Sequence, residues 1–200
     1  TAVINTSLSI SATGRQRFLS IEAQWAVDGS GRIACRMDVR RNTNMPFLPR
    51  FGLRLFLPYE MEKVEYTGYG PYESYVDKHH ASYFGLFRAT VDELHEDYIK
   101  PQENGSHYQC TKLQLTGNDS GLLVKAPGSH FSFNASHYTQ EELTRAKHNF
   151  ELQKCDSTVL CLDYMQSGLG SNSCGPELAQ EYRLQHENFE YTLTFTPMAF

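Results

Sequence analysis

The sequence predicts an all-β, antiparallel fold, and three observations carry that prediction. Apolar and polar residues alternate in short runs along most of the 200-residue chain, the pattern of strands with one buried face. Turn-forming clusters such as Asp28-Gly29-Ser30-Gly31 separate these runs at hairpin spacing. Helix-start signals are few and do not alternate with strands, so a TIM barrel is excluded for this chain.

In chain order, residues 1–16 read as a start that is frayed rather than structured. Residues 18–27 and 32–40 flank the Gly-rich turn and form a hairpin. Strands follow over 50–57 and 61–69. Thr90 can cap a helical turn over 90–96. Later strands are expected over 107–115, 121–126, 130–134, 150–154, 158–164, 180–184 and 191–196. One short helix is expected over 140–147, because Thr139-Gln140-Glu141-Glu142 has the capping-box form: Thr139 caps and Glu142 answers three residues on. No repeat, low-complexity tract or linker divides the chain, so residues 1–200 read as one domain, a sandwich of antiparallel sheets.

Composition narrows the function. Twelve Tyr and twelve Phe suit β-sheets and carbohydrate-facing surfaces, since a phenol offers a flat apolar face and a hydroxyl. The net charge of −5, with no basic block, argues against a nucleic-acid partner. No apolar run approaches membrane-spanning length and no signal peptide is visible, so no membrane partner is expected. Five cysteines, Cys35, Cys110, Cys155, Cys161 and Cys174, are an odd number without a CxxC pair. That fits a reducing compartment, hence a cytoplasmic expectation. The N-x-Ser triplets at Asn5, Asn104, Asn118 and Asn134 are read as chance.

Three constellations bear on chemistry. The first is Gly168-Leu169-Gly170-Ser171-Asn172-Ser173-Cys174-Gly175-Pro176, nine residues with little bulk between two strand-like runs. It is a loop: either a tight surface turn, or a segment that reaches a ligand site and presents Cys174 to it. The second is a pair of carboxylates in rigid turns, Glu73 within Gly68-Tyr69-Gly70-Pro71-Tyr72-Glu73-Ser74-Tyr75 and Glu103 within Pro101-Gln102-Glu103-Asn104-Gly105. They suit a glycosidase acid and nucleophile if they stand at the right separation. Otherwise each ties down its own loop by accepting backbone N–H groups, and this second reading is preferred. The third is eight scattered histidines with no HxH or HExxH spacing. Adjacent His79 and His80 point to opposite faces of a strand and make poor joint metal ligands. There is no GxSxG and no phosphate loop, and no partner His for Cys174 as a nucleophile is identifiable.

These motifs together resemble the C-terminal (small-chain, or fifth) domain of LacZ-type β-galactosidases of glycoside hydrolase family 2. The likeness rests on Gly68-x-Gly70-Pro71-x-Glu73-x-Tyr75-x-Asp77 and on Tyr98-x-x-Pro101-Gln102-Glu103-Asn104-Gly105. It continues through Phe131-x-Phe133-x-x-Ser136-x-Tyr138-Thr139-x-x-Glu142-Leu143, His148, the 28–31 hairpin and the 168–176 loop. The resemblance implies a β-supersandwich similar to galactose mutarotase. It also implies that both catalytic glutamates lie in a separate TIM-barrel domain, so this chain holds none, and Gly68, Gly70, Pro71, Glu73, Pro101, Gln102, Glu103, Asn104 and Gly105 are structural. The loop is expected to help wall the galactoside subsite through Gly170, Asn172, Ser173 and Cys174. Some family members carry Trp at the position of Cys174.

The implied partners are the other domains or a large subunit of the same enzyme and the galactoside, with association into a homo-oligomer through exposed edge strands. The chain itself needs no cofactor; magnesium and sodium are implied only at the barrel. Family domains run longer on the N-terminal side, so the chain reads as N-terminally truncated or as part of a split enzyme. The rival reading is a free-standing aldose 1-epimerase-like or carbohydrate-binding domain, with Glu73 or Glu103 recruited beside His79 or His107.

Overall fold

In a computed structural model, which describes residues 1–170 and 175–200, the chain folds into two packed antiparallel sheets. Described strands are β1 (Ala2–Ser11), β2 (Arg17–Val27), β3 (Ile33–Arg41), β4 (Arg50–Pro58), β5 (Lys63–Gly70) and β6 (Tyr83–Thr90). They continue with β7 (His107–Cys110), β8 (Lys112–Thr116), β9 (Ser120–Lys125), β10 (Phe131–Ser136), β11 (Ser157–Gln166) and β12 (Asn188–Ala199). An eight-stranded sheet runs β1-β2-β3-β12-β9-β8-β5-β6, and a four-stranded sheet runs β4-β11-β10-β7. The expected all-β supersandwich with one short helix is the observed architecture.

The core lies between the sheets and follows from alternation. Leu19, Ile21 and Ala23 of β2, Cys35, Met37 and Val39 of β3, and Tyr191, Leu193 and Phe195 of β12 all face inward. Phe131 and Phe133 of β10 and Leu160 and Leu162 of β11 face them from the smaller sheet. The intervening residues Asn134 and Asp163 are therefore on that sheet's outer face, yet both are buried, because the 97–106 loop covers them. Among the described residues one α-helix forms, α1 (Gln140–Arg145); Thr139 Oγ1 accepts the Glu142 N–H at 3.1 Å as expected, but the Glu142 carboxylate turns to Arg145 and the Gln153 N–H, so only this half of the capping box is made. The Thr90 turn is capped reciprocally by Thr90 and Glu93.

Five expectations need correction. The start is not frayed: β1 pairs with β2 from Ala2↔Val27 to Ser11↔Arg17, since its uncharged alternating sequence finds a full-length partner across a short turn. β6 was not foreseen, because as an edge strand it leaves Tyr83, Phe84 and Leu86 exposed and shows no polar–apolar alternation. Residues 107–115 are two strands in different sheets. Gln109 takes a left-handed backbone (φ 51°) within β7, and the strand ends at Cys110; Thr111 alone separates it from β8 in the other sheet. Over 150–154 there is a single 3-10 turn, Asn149–Glu151, because Glu151 reaches back to the Lys147 N–H and leaves Phe150 in solvent. Over 180–184 there is another, Gln180–Tyr182, and only Leu184 pairs, with Leu48.

Gly68 of β5 sits directly against Cys110 of β7, a strand of the other sheet. A Cβ there would meet the Cys110 sulfur and lie 3.0 Å from the Cys110 Cα. Gly68→Ala is expected to destabilise the chain by about 3 kcal/mol, the upper end for overpacking a core that cannot relax by a side-chain shift alone. Urea unfolding of the two proteins checks this.

Candidate substrate-site loop and its support

The connection between β5 and β6 carries the first motif. Gly70 is required because a Cβ would strike the Tyr66 hydroxyl, and the chain then turns at Pro71 so that the Glu73 side chain points inward. The Glu73 carboxylate is buried and meets four donors. The Gly105 N–H donates to Oε2 at 2.8 Å, Lys78 Nζ and the Tyr98 hydroxyl donate to Oε1, and the Tyr75 hydroxyl lies 3.4 Å from Oε2. Burial opposes ionisation, but the Lys78, Tyr98 and Gly105 hydrogen bonds outweigh it and hold this carboxyl below the usual glutamate range. The Ser74 N–H donates to Ser106 O at 2.7 Å alongside.

The second motif is thus the partner of the first, not an independent loop. Gly105 sits at φ +66°, and a Cβ on it would strike Leu94 O, so only glycine presents this N–H to Glu73. Asn104 shapes the same turn, accepting the Glu96 N–H at 3.1 Å and donating to Gln102 O at 2.9 Å. Pro101 is buried and Gln102 exposed. Among the described residues Glu103 accepts no backbone N–H. Its carboxylate takes Arg50 Nη1 at 3.0 Å and Asn134 Nδ2 at 2.8 Å. Arg50 also binds Asp163 through Nε and Nη2, and Gln166 Nε2 donates to Asp163 Oδ2 at 2.9 Å and to Asn134 Oδ1 at 3.1 Å. One guanidinium therefore faces two carboxylates. Burial raises the pKa of both Asp163 and Glu103, and the Arg50 charge offsets only part of that rise.

Both carboxylates proposed as a glycosidase pair are therefore spent on internal partners. The expectation that each ties down its own loop is corrected in detail: Glu73 ties down the other motif, and Glu103 ties the loop to β4 and β10. The histidines of the rival reading fare no better. His107 is 1% exposed, packs on Tyr66 and Phe133, and is pulled down to about pKa 4 by burial, so it is neutral and out of reach of a sugar. His79 is bound through Nδ1 to Tyr75 O and stacks on His80.

The third motif is a loop whose first limb is held from both sides. The Gly168 N–H donates to Tyr182 O at 2.8 Å, and Ser167 Oγ bridges Leu48 O and the Leu184 N–H. Asp77 accepts the Leu169 N–H at 3.0 Å and the Gly170 N–H at 2.8 Å. Gly170 has φ +64°. On the second limb, Arg183 Nε donates to Leu178 O at 2.8 Å. Asn172, Ser173 and Cys174 lie outside the described residues. Sequence reading named the two glutamates but not Arg50, Asn134, Asp163 or Gln166, which belong to no compact motif. Asp77 stood at the end of the first motif, so its spacing was visible and its partner was not. Among the described residues no group of three His, Cys, Asp or Glu is placed to hold a metal ion.

The eight-on-four antiparallel arrangement has a counterpart among solved structures. The chain is similar to the GalM/aldose epimerase homologue of C. elegans, with a TM-score of 0.50 at 8% identity, covering 98% of this chain and 66% of that one. That likeness concerns the fold alone. The family model described as beta galactosidase small chain matches residues 2–196, and the chain belongs to that family. It is 48% identical over 182 residues to the beta-galactosidase of Actinobacillus pleuropneumoniae, covering 91% of this chain and 18% of that protein. It is 42% identical over 168 residues to that of Staphylococcus xylosus, covering 84% of this chain and 17% of that protein. The chain thus spans less than a fifth of the length of these curated relatives.

Glu73→Gln is expected to cost about 3 kcal/mol, because an amide nitrogen would face N–H and O–H donors in a buried site. The folded Glu73 pKa lies below its ordinary 4.5, so its contribution is fully present above that value and is lost as pH falls through the depressed one. The stability gap between wild type and variant should therefore be constant at neutral pH and shrink below about pH 4.5. Denaturant titrations at a series of pH values measure it.

Proposed function

We propose that this chain is the sandwich domain of a retaining β-galactosidase. In that reading the whole enzyme cleaves terminal β-D-galactosides through a covalent galactosyl-enzyme, and both catalytic glutamates lie outside this chain. The chain supplies scaffold, an interface to the remaining domains or a large subunit, and one loop of the galactoside subsite through Gly170, Asn172, Ser173 and Cys174. The observation that carries this reading is the internal engagement of Glu73 and Glu103. The family motifs hold loops together and leave no free acid–base pair on them, while the first limb of the loop, Gly168 to Gly170, is braced by Asp77 and Tyr182.

The remaining assignments belong to the same proposal. Magnesium and sodium would bind at the barrel, where they would supply electrostatic support to the galactoside site, and not in this chain. β1 is an edge strand without a charged residue, which supports association with another copy. A cytoplasmic setting fits the cysteine usage, and among the described residues no helix is long and apolar enough to cross a membrane.

Cys in place of Trp on this loop offers a sugar's C–H face far less area. Cys174→Trp in the complete enzyme is expected to lower KM for a simple galactoside several-fold; an unchanged KM would overturn the contact. The broader reading is tested by assaying the purified chain on a chromogenic β-galactoside, alone and mixed with the remainder of its parent protein. Turnover only on mixing is expected. Turnover, or mutarotation of galactose, by the chain alone would return Glu73 and Glu103 to candidacy.

A further inference from the structure

We infer that Asp77 is a positioning residue for galactoside binding, and that its carboxylate sets where the 168–176 loop leaves the sandwich. The inference rests on the proposed role of that loop and adds the residue that aims it. Asp77 is a single side chain holding two consecutive amides of the loop's first limb, Leu169 N–H on Oδ1 and Gly170 N–H on Oδ2, across 92 and 93 residues of sequence. A carboxylate that takes two successive N–H groups fixes the direction of the chain as well as its position.

The clamp is fixed in turn from below. Asp77 sits in a turn closed by Tyr75 N–H to Lys78 O at 2.7 Å and Lys78 N–H to Tyr75 O at 3.1 Å. Tyr75 is 2% exposed, and Lys78 is tied to the buried Glu73. Glu73 is held by Gly105. Two family motifs with no catalytic group thus end on the loop that the third motif forms. The glycines agree with this. A Cβ on Gly168 would stand 2.5 Å from Asp77 Oδ2, so glycine is needed there for the carboxylate to come close. Gly170 has a left-handed φ of +64°, which turns its N–H to the same carboxylate.

The position of Asp77 separates aiming from folding. Its two bonds are at the solvent-exposed edge, so removing the carboxylate leaves Leu169 and Gly170 amides that water can satisfy. The sandwich should survive Asp77→Ala while Leu169 and Gly170 lose their anchor. Gly168→Ala should do the same without removing the charge, because the new methyl displaces a side-chain terminus that can swing away.

The test has two readouts. In this 200-residue chain, amide exchange at Leu169 and Gly170 should accelerate in Asp77→Ala and Gly168→Ala, with β10 and β11 amides unchanged. In the complete galactosidase, both variants should raise KM for a chromogenic β-galactoside about three- to tenfold, as expected for one or two lost positioning hydrogen bonds. Then kcat per folded molecule should stay within about twofold. A purely structural role would instead lower Tm and the folded fraction and leave KM alone, which overturns the inference. Unchanged amide exchange overturns it as well. If exchange accelerates, KM holds and Cys174→Trp does shift KM, Asp77 is not the aiming residue although the loop serves the site. If KM holds in the Asp77 variants and in Cys174→Trp alike, the loop's assignment to the galactoside subsite falls with it.

Discussion

Ionised groups removed from water need donors or counter-charges fixed in place, and this chain meets that demand by drawing distant loops together. Glu73 is the clearest case: a buried carboxylate whose donors come from a turn five residues on, a tyrosine of the 97–106 loop and a glycine N–H of the same loop. Without those donors the burial of the charge would cost several kcal/mol, so the loops cannot separate independently of it. The Arg50 cluster repeats the principle on the outer face of the smaller sheet. There one guanidinium and two amide side chains accommodate Asp163 and Glu103, and Gly52 beside it leaves room where a Cβ would lie 2.5 Å from Asp163 Oδ1.

This arrangement explains how dense sequence motifs can serve internal support. Polar residues in such runs are usually read as chemistry, and a pair of glutamates in Gly/Pro turns reads as an acid–base pair. Here their hydrogen-bond capacity is consumed inside the protein. The loop that these supports end on is glycine-rich for the reason its anchor is close: Gly168 leaves space for the Asp77 carboxylate, and Gly170 takes the backbone conformation that delivers its N–H.

The two sheets differ in what they ask of their residues. Within the eight-stranded sheet, β2 and β3 divide plainly into an inner apolar and an outer polar face, in every second residue. β10 and β11 are buried on both faces, one against the core and one beneath polar loops, so nearly all their residues are inaccessible and polar side chains there must be paired. The smaller sheet is therefore the part that ties the core to the candidate loop, since β11 runs directly into Ser167 and Gly168.

What the sequence determined by itself was local and periodic. Alternation placed most strands of both sheets, the Asp28–Gly31 turn placed the β2–β3 hairpin, and Thr139 placed the helix start, because each depends on residues a few positions apart. The ordered motifs also carried the family resemblance, since motif order is a property of the chain. The tertiary structure decided the rest. It chose which sheet each strand joined, splitting 107–115 at Thr111, and it ordered β1 by supplying β2 as a partner. It paired Arg50 with Asp163 across 113 residues and Asp77 with Gly170 across 93. Those partners have no fixed spacing, and their energy comes from burial and mutual proximity. Neither exists until the sheets have packed.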